Sequence, residues 1–223
     1  LPWLGLRAWA AWLVLRCWWH EGFLDLGRSC IALAQVFPAV GAAWLVAHRA
    51  QWTPWDFDPL IVLLTAAHFH HAGYTLPLLA GVNAQSTPSR GTSLSCMAVL
   101  MGVPMVAAGI TGTHFGVLPL FEPLGVTVLV MGALGVAVSQ ALLSLRTRGK
   151  VQGGTRAAFF ISGVSLMLAM FLALGFGLRH LFPSYALTMP QMWMIHGSLN
   201  TFGFGLCGIL SWRRMAQMAN GDN

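Results

Sequence analysis

Acidic side chains are almost missing from this chain: six Asp and Glu stand among 223 residues, against twelve Lys and Arg. The charged fraction is only 8%, where soluble domains carry about a quarter, so a fully water-exposed globular surface is excluded. Cysteine is scarce too. The four present have no metal-finger spacing and do not suggest a disulfide scaffold. HExxH, GxSxG, Walker and dinucleotide fingerprints are all absent. The basic surplus of +6 is dispersed and has no accompanying aromatic–basic pattern, so a nucleic-acid partner is not expected.

What remains is apolar: 57% of the residues are hydrophobic. Seven stretches stand out, roughly Leu1–Trp19, Ile31–Ala47, Pro59–Ala80, Leu94–Gly112, Leu124–Leu145, Ala157–Leu178 and Met189–Trp212. Each is about long enough to cross a hydrocarbon core of roughly 30 Å at about 1.5 Å per residue. Nothing alternates at period two as barrel strands would, so helices are the expected form. The first stretch contains Arg7, Arg16 and five tryptophans. It reads as a span whose arginines snorkel to opposite interfaces, or as a helix lying partly on the surface. The chain opens on Leu1 rather than Met, as a fragment or processed form would. The opening stretch lacks the basic region and cleavage site of a signal peptide. A single transmembrane domain over residues 1–223 is expected, with room for upstream helices.

Seven alternating spans place Arg28, Arg90, Arg146, Arg148, Lys150, Arg156, Arg213 and Arg214 on one side. Only Arg49, Arg179 and Arg7 fall towards the other. By the positive-inside rule the first side, with the C-terminus, is cytoplasmic. Cys17, Cys30 and Cys96 then lie near cytoplasmic helix ends and Cys207 in the inner half of the last helix, all as free thiols.

The third stretch carries Thr65, His68, His70, His71 and Tyr74 in LTAAHFHHAGYTLP. Ionisable groups at membrane depth are costly to bury unpaired and point to function. At about 100° per residue, His68 and His71 share a face with Thr65 and Thr75, while His70 points elsewhere. Three arrangements stay open: His68 pairs with His71, Gly73 and Pro77 distort the helix, or His70 serves another neighbour. The last stretch carries His196 and Asn200 on one face, continued by Gly203 and Cys207. Glycines 197, 203, 205 and 208 permit close helix approach. Counted from Pro59 and Pro190, His68 and His196 fall about 9–14 Å below the outer surface at roughly 1.5 Å per residue. His114, Asp56, Asp58 and Glu122 lie on the same side. Neutral imidazoles are ligands for zinc, copper or iron, and two on facing helices can ligate a haem. Any one of these histidines alone is explained by a hydrogen bond to a neighbouring helix. At matched depth, as a set, they make a bound ligand or metal worth testing. The eleven methionines read as apolar filler.

The run FDPLIVLLTAAHFHHAGYTLPLLAG and the closing HGSLNTFGFGLCG resemble the YndJ-like family of bacterial membrane proteins. Matching positions are Thr65, His68, Phe69, His70, Ala72 and Gly73, then His196, Gly197, Asn200, Gly203 and Phe204. His71 stands where that family has an aromatic, so the resemblance favours His68 and His70 over His71. It implies a bacterial inner-membrane protein and supports a site without naming an activity.

The expectation is therefore an all-α polytopic bundle of about seven transmembrane helices, with the third and seventh packed face to face. A polar site between them would use His68, His70, His71 and His196 as metal ligands. Thr65, Tyr74, Asn200, His114 and Asp58 would orient a ligand or substrate. A transition metal (Zn, Cu or Fe) or a haem is the expected cofactor, acting on a small or apolar substrate. A transporter using the same histidines is the alternative, and a structural subunit the third reading; enzyme or not stays open.

Overall fold

Seven helical rods carry the chain, and no strand occurs among the residues that the computed structural model describes: 1–21, 25–149, 151–185 and 187–221. Lys150 and the last two residues of the polar tail lie outside them. In order, α1 is Pro2–Glu21, α2 Leu26–Arg49, α3 Pro59–His70 and α4 Leu76–Ser86. Then follow α5 Arg90–His114, α6 Phe121–Arg146, α7 Gly153–Gly177, the short α8 Met189–Gln191 and α9 Cys207–Gly221. A π turn, His71–Thr75, joins α3 to α4 as one rod. Two π segments, Met192–His196 and Leu199–Leu206, join α8 to α9 as another.

Four rods, α2, α5, α6 and α7, are long and apolar enough to cross a membrane as unbroken helices. This is the architecture of a polytopic membrane protein. The rods overrun the apolar stretches because their caps are polar. Asp25 Oδ1 accepts from the Arg28 N–H at 3.1 Å and starts α2; Asp58 Oδ1 accepts from the Leu60 N–H at 2.7 Å and starts α3. Ser89 and Thr92 form a reciprocal capping box at α5. Two of the few carboxylates are thus spent on helix starts, where the first N–H groups lack partners.

The chain divides into two compact units, residues 1–88 and 89–223. In the first, α2 is the hub, packing against α1 and against the α3–α4 rod. Its C-terminal end is stapled by aromatics. Trp44 meets Trp55 and Phe57 edge-on at 6.1 and 5.9 Å between ring centres, above buried Ala47 and Val62. In the second unit α5, α6, α7 and the last rod pack in chain order. Lipid-exposed helices gain little from the hydrophobic effect and associate through close van der Waals approach. Accordingly, a Cβ at Gly109 of α5 would lie 2.4 Å from Glu122 Cα of α6.

That approach buries Glu122, which is 4% exposed. Its Oε1 accepts from Arg179 Nη1 at 2.6 Å and its Oε2 from the Thr113 hydroxyl at 2.8 Å. Arg179 also donates to the Phe176 carbonyl at 3.0 Å. A carboxylate that the sequence places in an outer turn is therefore the clasp joining α5, α6 and the end of α7. Replacing Glu122 with Ala leaves the Arg179 cation without its counter-ion and the Thr113 hydroxyl without its acceptor, and should lower stability by roughly 2–3 kcal/mol. Arg28→Ala, at the exposed Asp25–Arg28 pair, should change it by less than about 0.5 kcal/mol. Unfolding of the two variants in detergent, followed by circular dichroism, compares them; equal losses would remove the clasp.

Candidate functional site

The histidine run of the first unit sits where its rod changes helix type. Pro77 has no N–H to give the Gly73 carbonyl, and its ring crowds that carbonyl. The chain widens just ahead of it into the π turn, where the Leu76 N–H reaches the His71 carbonyl. The distortion at Gly73 and Pro77, one of the three arrangements that the sequence leaves open, is thus present. It also breaks the stripe projected for a regular helix: Thr75 is buried, whereas His68 and His71 are exposed.

His70 serves another neighbour. Its Nδ1 donates to the Ala66 carbonyl at 2.8 Å, one turn back. Its Nε2 accepts from the Trp3 indole of α1 at 3.0 Å, with the two rings stacked 5.9 Å apart. Gly41 of α2 makes room: a Cβ there would lie 2.7 Å from the imidazole. A carbonyl can only accept and an indole N–H can only donate, so the ring is neutral with its proton on Nδ1. His70 ties α1 to α3 across α2, and its lone pair is in use.

His68 has the same proton placement with a different consequence. Its Nδ1 donates to the Leu64 carbonyl at 2.8 Å, which leaves the Nε2 lone pair facing outward. The His71 ring, three residues on and exposed, makes no hydrogen bond. Thr65 is locally satisfied, donating to the Ile61 carbonyl at 2.7 Å. Tyr74 lies under the Arg7 guanidinium, 5.6 Å from ring centre to Cζ. Asp58 is the α3 cap already described, and the His114 ring sits edge-on to Phe115 at the end of α5.

In the second unit His196 repeats the pattern of His70. Its Nδ1 donates to the Ala169 carbonyl of α7 at 2.9 Å, and its Nε2 accepts from the Asn200 amide at 3.1 Å. The same amide donates to the His196 carbonyl at 2.9 Å. The shared face read from the i, i+4 spacing is real, and it is turned against α7. Gly203 continues it; a Cβ there would lie 2.2 Å from Ser165 Oγ. Gly197, in contrast, faces open space. Below, the fully buried Ser162 hydroxyl lies between Gln140 Oε1 and the Phe204 carbonyl, 2.9 Å from the latter. Trp3, Gln140, Ser162 and the Ala169 carbonyl had no signal in the sequence, because each acts across more than twenty residues. Among the described residues, no three His, Cys, Asp or Glu side chains gather as a metal-binding group.

The family described as YndJ-like protein matches residues 1–204, a span that includes both histidine runs. The chain belongs to that family. Among curated proteins it is similar to the "Uncharacterized membrane protein YndJ" of Bacillus subtilis (strain 168), with 26% identity over 207 residues. That alignment covers 92% of this chain and 36% of the relative, so the chain spans about a third of the relative's length. No solved structure matches. Both π-interrupted stretches coincide with the runs that carry the family likeness.

The proton placement is measurable. Nitrogen NMR of histidine-labelled protein should show His70 and His196 protonated at Nδ1, with Nε2 accepting a hydrogen bond. His196→Ala, which removes the bond to the Ala169 carbonyl and one of the two acceptors of the Asn200 amide, should cost about 1–3 kcal/mol. Either ring found with its proton on Nε2 would contradict the tie.

Proposed function

We propose that this YndJ-like membrane protein binds a transition metal or a haem through His68 and His71, with His70 and His196 holding helices together. The observation that carries this reading is the free Nε2 lone pair of His68, beside the unbonded His71 ring on the exposed face of one rod. Imidazole presented in the neutral form with its other nitrogen hydrogen-bonded is the form that ligates zinc, copper, iron or haem iron. A pair of polar rings on a membrane rod is costly against lipid alone, which favours a bound group or a polar cavity there. The substrate would be small or apolar, reached from the outer face or the bilayer. The basic residues Arg90, Arg146, Arg148, Arg156, Arg213 and Arg214 support an inner-membrane placement with the C-terminus in the cytoplasm.

One observation favours a second reading, transport. The last rod of each unit is interrupted by π segments at its histidine run, and interrupted helices in the parts of a transporter are where substrate and coupling ions bind. The same histidines would then serve as a proton or substrate site.

Metal analysis and absorption spectra of detergent-purified protein separate the readings. After incubation with zinc, copper, iron or haemin, the wild type and His70→Ala should retain a near-stoichiometric group. His68→Ala/His71→Ala should retain only traces. An empty wild type, or a double variant that binds as well as the wild type, would sink the metal and haem reading. Proton-coupled uptake in vesicles that fails on His68→Ala would establish the second.

A further inference from the structure

Among the described residues of the first unit, Arg7 is the one arginine that is drawn inward. Its residue is half-buried, and its guanidinium is held over the Trp3 ring at 5.5 Å and the Tyr74 ring at 5.6 Å. Nη2 alone donates, to the Gln35 carbonyl and to Gln35 Oε1, both at a long 3.4 Å. Nε is buried without an acceptor among the described residues. The ion pairs among the described residues are Asp25–Arg28 and Glu122–Arg179, so no carboxylate neutralises this charge. The other arginine of α1, Arg16, is exposed over the Trp12 ring at 5.3 Å, as a side chain reaching for the interface would be.

A guanidinium fixed by two aromatic faces presents its remaining N–H groups in one plane at little further entropic cost. It is a ready receptor for an oxyanion, and leaving such a charge uncompensated beside apolar surface is unfavourable. Its surroundings select among anions. Trp3 and Tyr74 are the interfacial aromatics that accompany headgroups. An apolar groove of about 420 Å³, lined by Trp3, Leu4, Ala42, Leu45 and Val46 and edged by Arg49, runs beside them.

We propose that Arg7, framed by Trp3, Tyr74 and Gln35, is a binding site for a phosphate oxyanion, presented by an anionic phospholipid headgroup. The site is separate from the histidine pair and stands whether or not that pair binds a metal.

The test uses the full chain in nanodiscs of zwitterionic phosphatidylcholine with or without phosphatidylglycerol. Phosphatidylglycerol should raise the apparent unfolding temperature of the wild type by several degrees and co-purify with it in native mass spectra. Arg7→Gln should abolish the shift and the bound lipid; Arg16→Gln should keep both. Arg7→Lys retains charge without the planar fork and should keep part of the shift, which protects the test should Arg7→Gln fail to fold. Inorganic phosphate added to the phosphatidylcholine discs distinguishes the sources: no effect assigns the site to lipid, and an equal shift assigns it to the free anion. A shift of wild-type size in Arg7→Gln, or loss of the shift in Arg16→Gln alone, would overturn the proposal.

Discussion

Within hydrocarbon no water is available to take up a stray backbone carbonyl, so each departure from a regular helix needs a donor supplied by the protein. This constraint organises the interior. The rods that stay α-helical satisfy themselves and pack through small residues. The two that widen into π segments receive side-chain help nearby. His70 donates to the Ala66 carbonyl just before the first π turn, and Ser162 reaches the Phe204 carbonyl inside the last rod. His196, within its own π segment, spends its donor on α7 at Ala169. Polar groups at these places fix how neighbouring helices meet, and they do so in the neutral state.

Charge is handled with the same economy. Asp25 and Asp58 neutralise helix starts, where the backbone is positive. Glu122 is shared between a hydroxyl and Arg179 and never meets lipid alone. Against that background the exceptions stand out by their chemistry: an inward guanidinium with no carboxylate, and an imidazole pair with an unused lone pair. Each is a place where the fold leaves a polar valence without a partner among the described residues.

Much of the fold was legible, and for a physical reason. Runs of apolar residues about 20 long have one stable form in a bilayer, so the seven rods could be read from hydropathy alone. Boundaries were read short, because caps such as Asp25 and Ser89 are polar and fall outside any hydropathy window. The site was legible in its residue types. His196 and Asn200 were placed correctly on one face because i and i+4 are neighbours on any helix. Thr75 was misplaced beside His68 and His71, since one wide turn rotates everything after it and leaves no mark in composition. Arg7 and Glu122 were read as interfacial charges; both are turned inward by partners distant in sequence.

The sequence by itself determined that this is a polytopic all-α membrane protein of the YndJ-like family, and it singled out two histidine runs as the candidate site. Those follow from hydropathy and local spacing, which one chain segment carries alone. Tertiary structure decided which histidines are used up and which are free. His70 is occupied because Trp3 of another helix donates to it, His196 because α7 offers a carbonyl, and His68 keeps its Nε2 lone pair because no described residue donates to it. A ring nitrogen's availability depends on what lies across from it, and that is set by packing between helices.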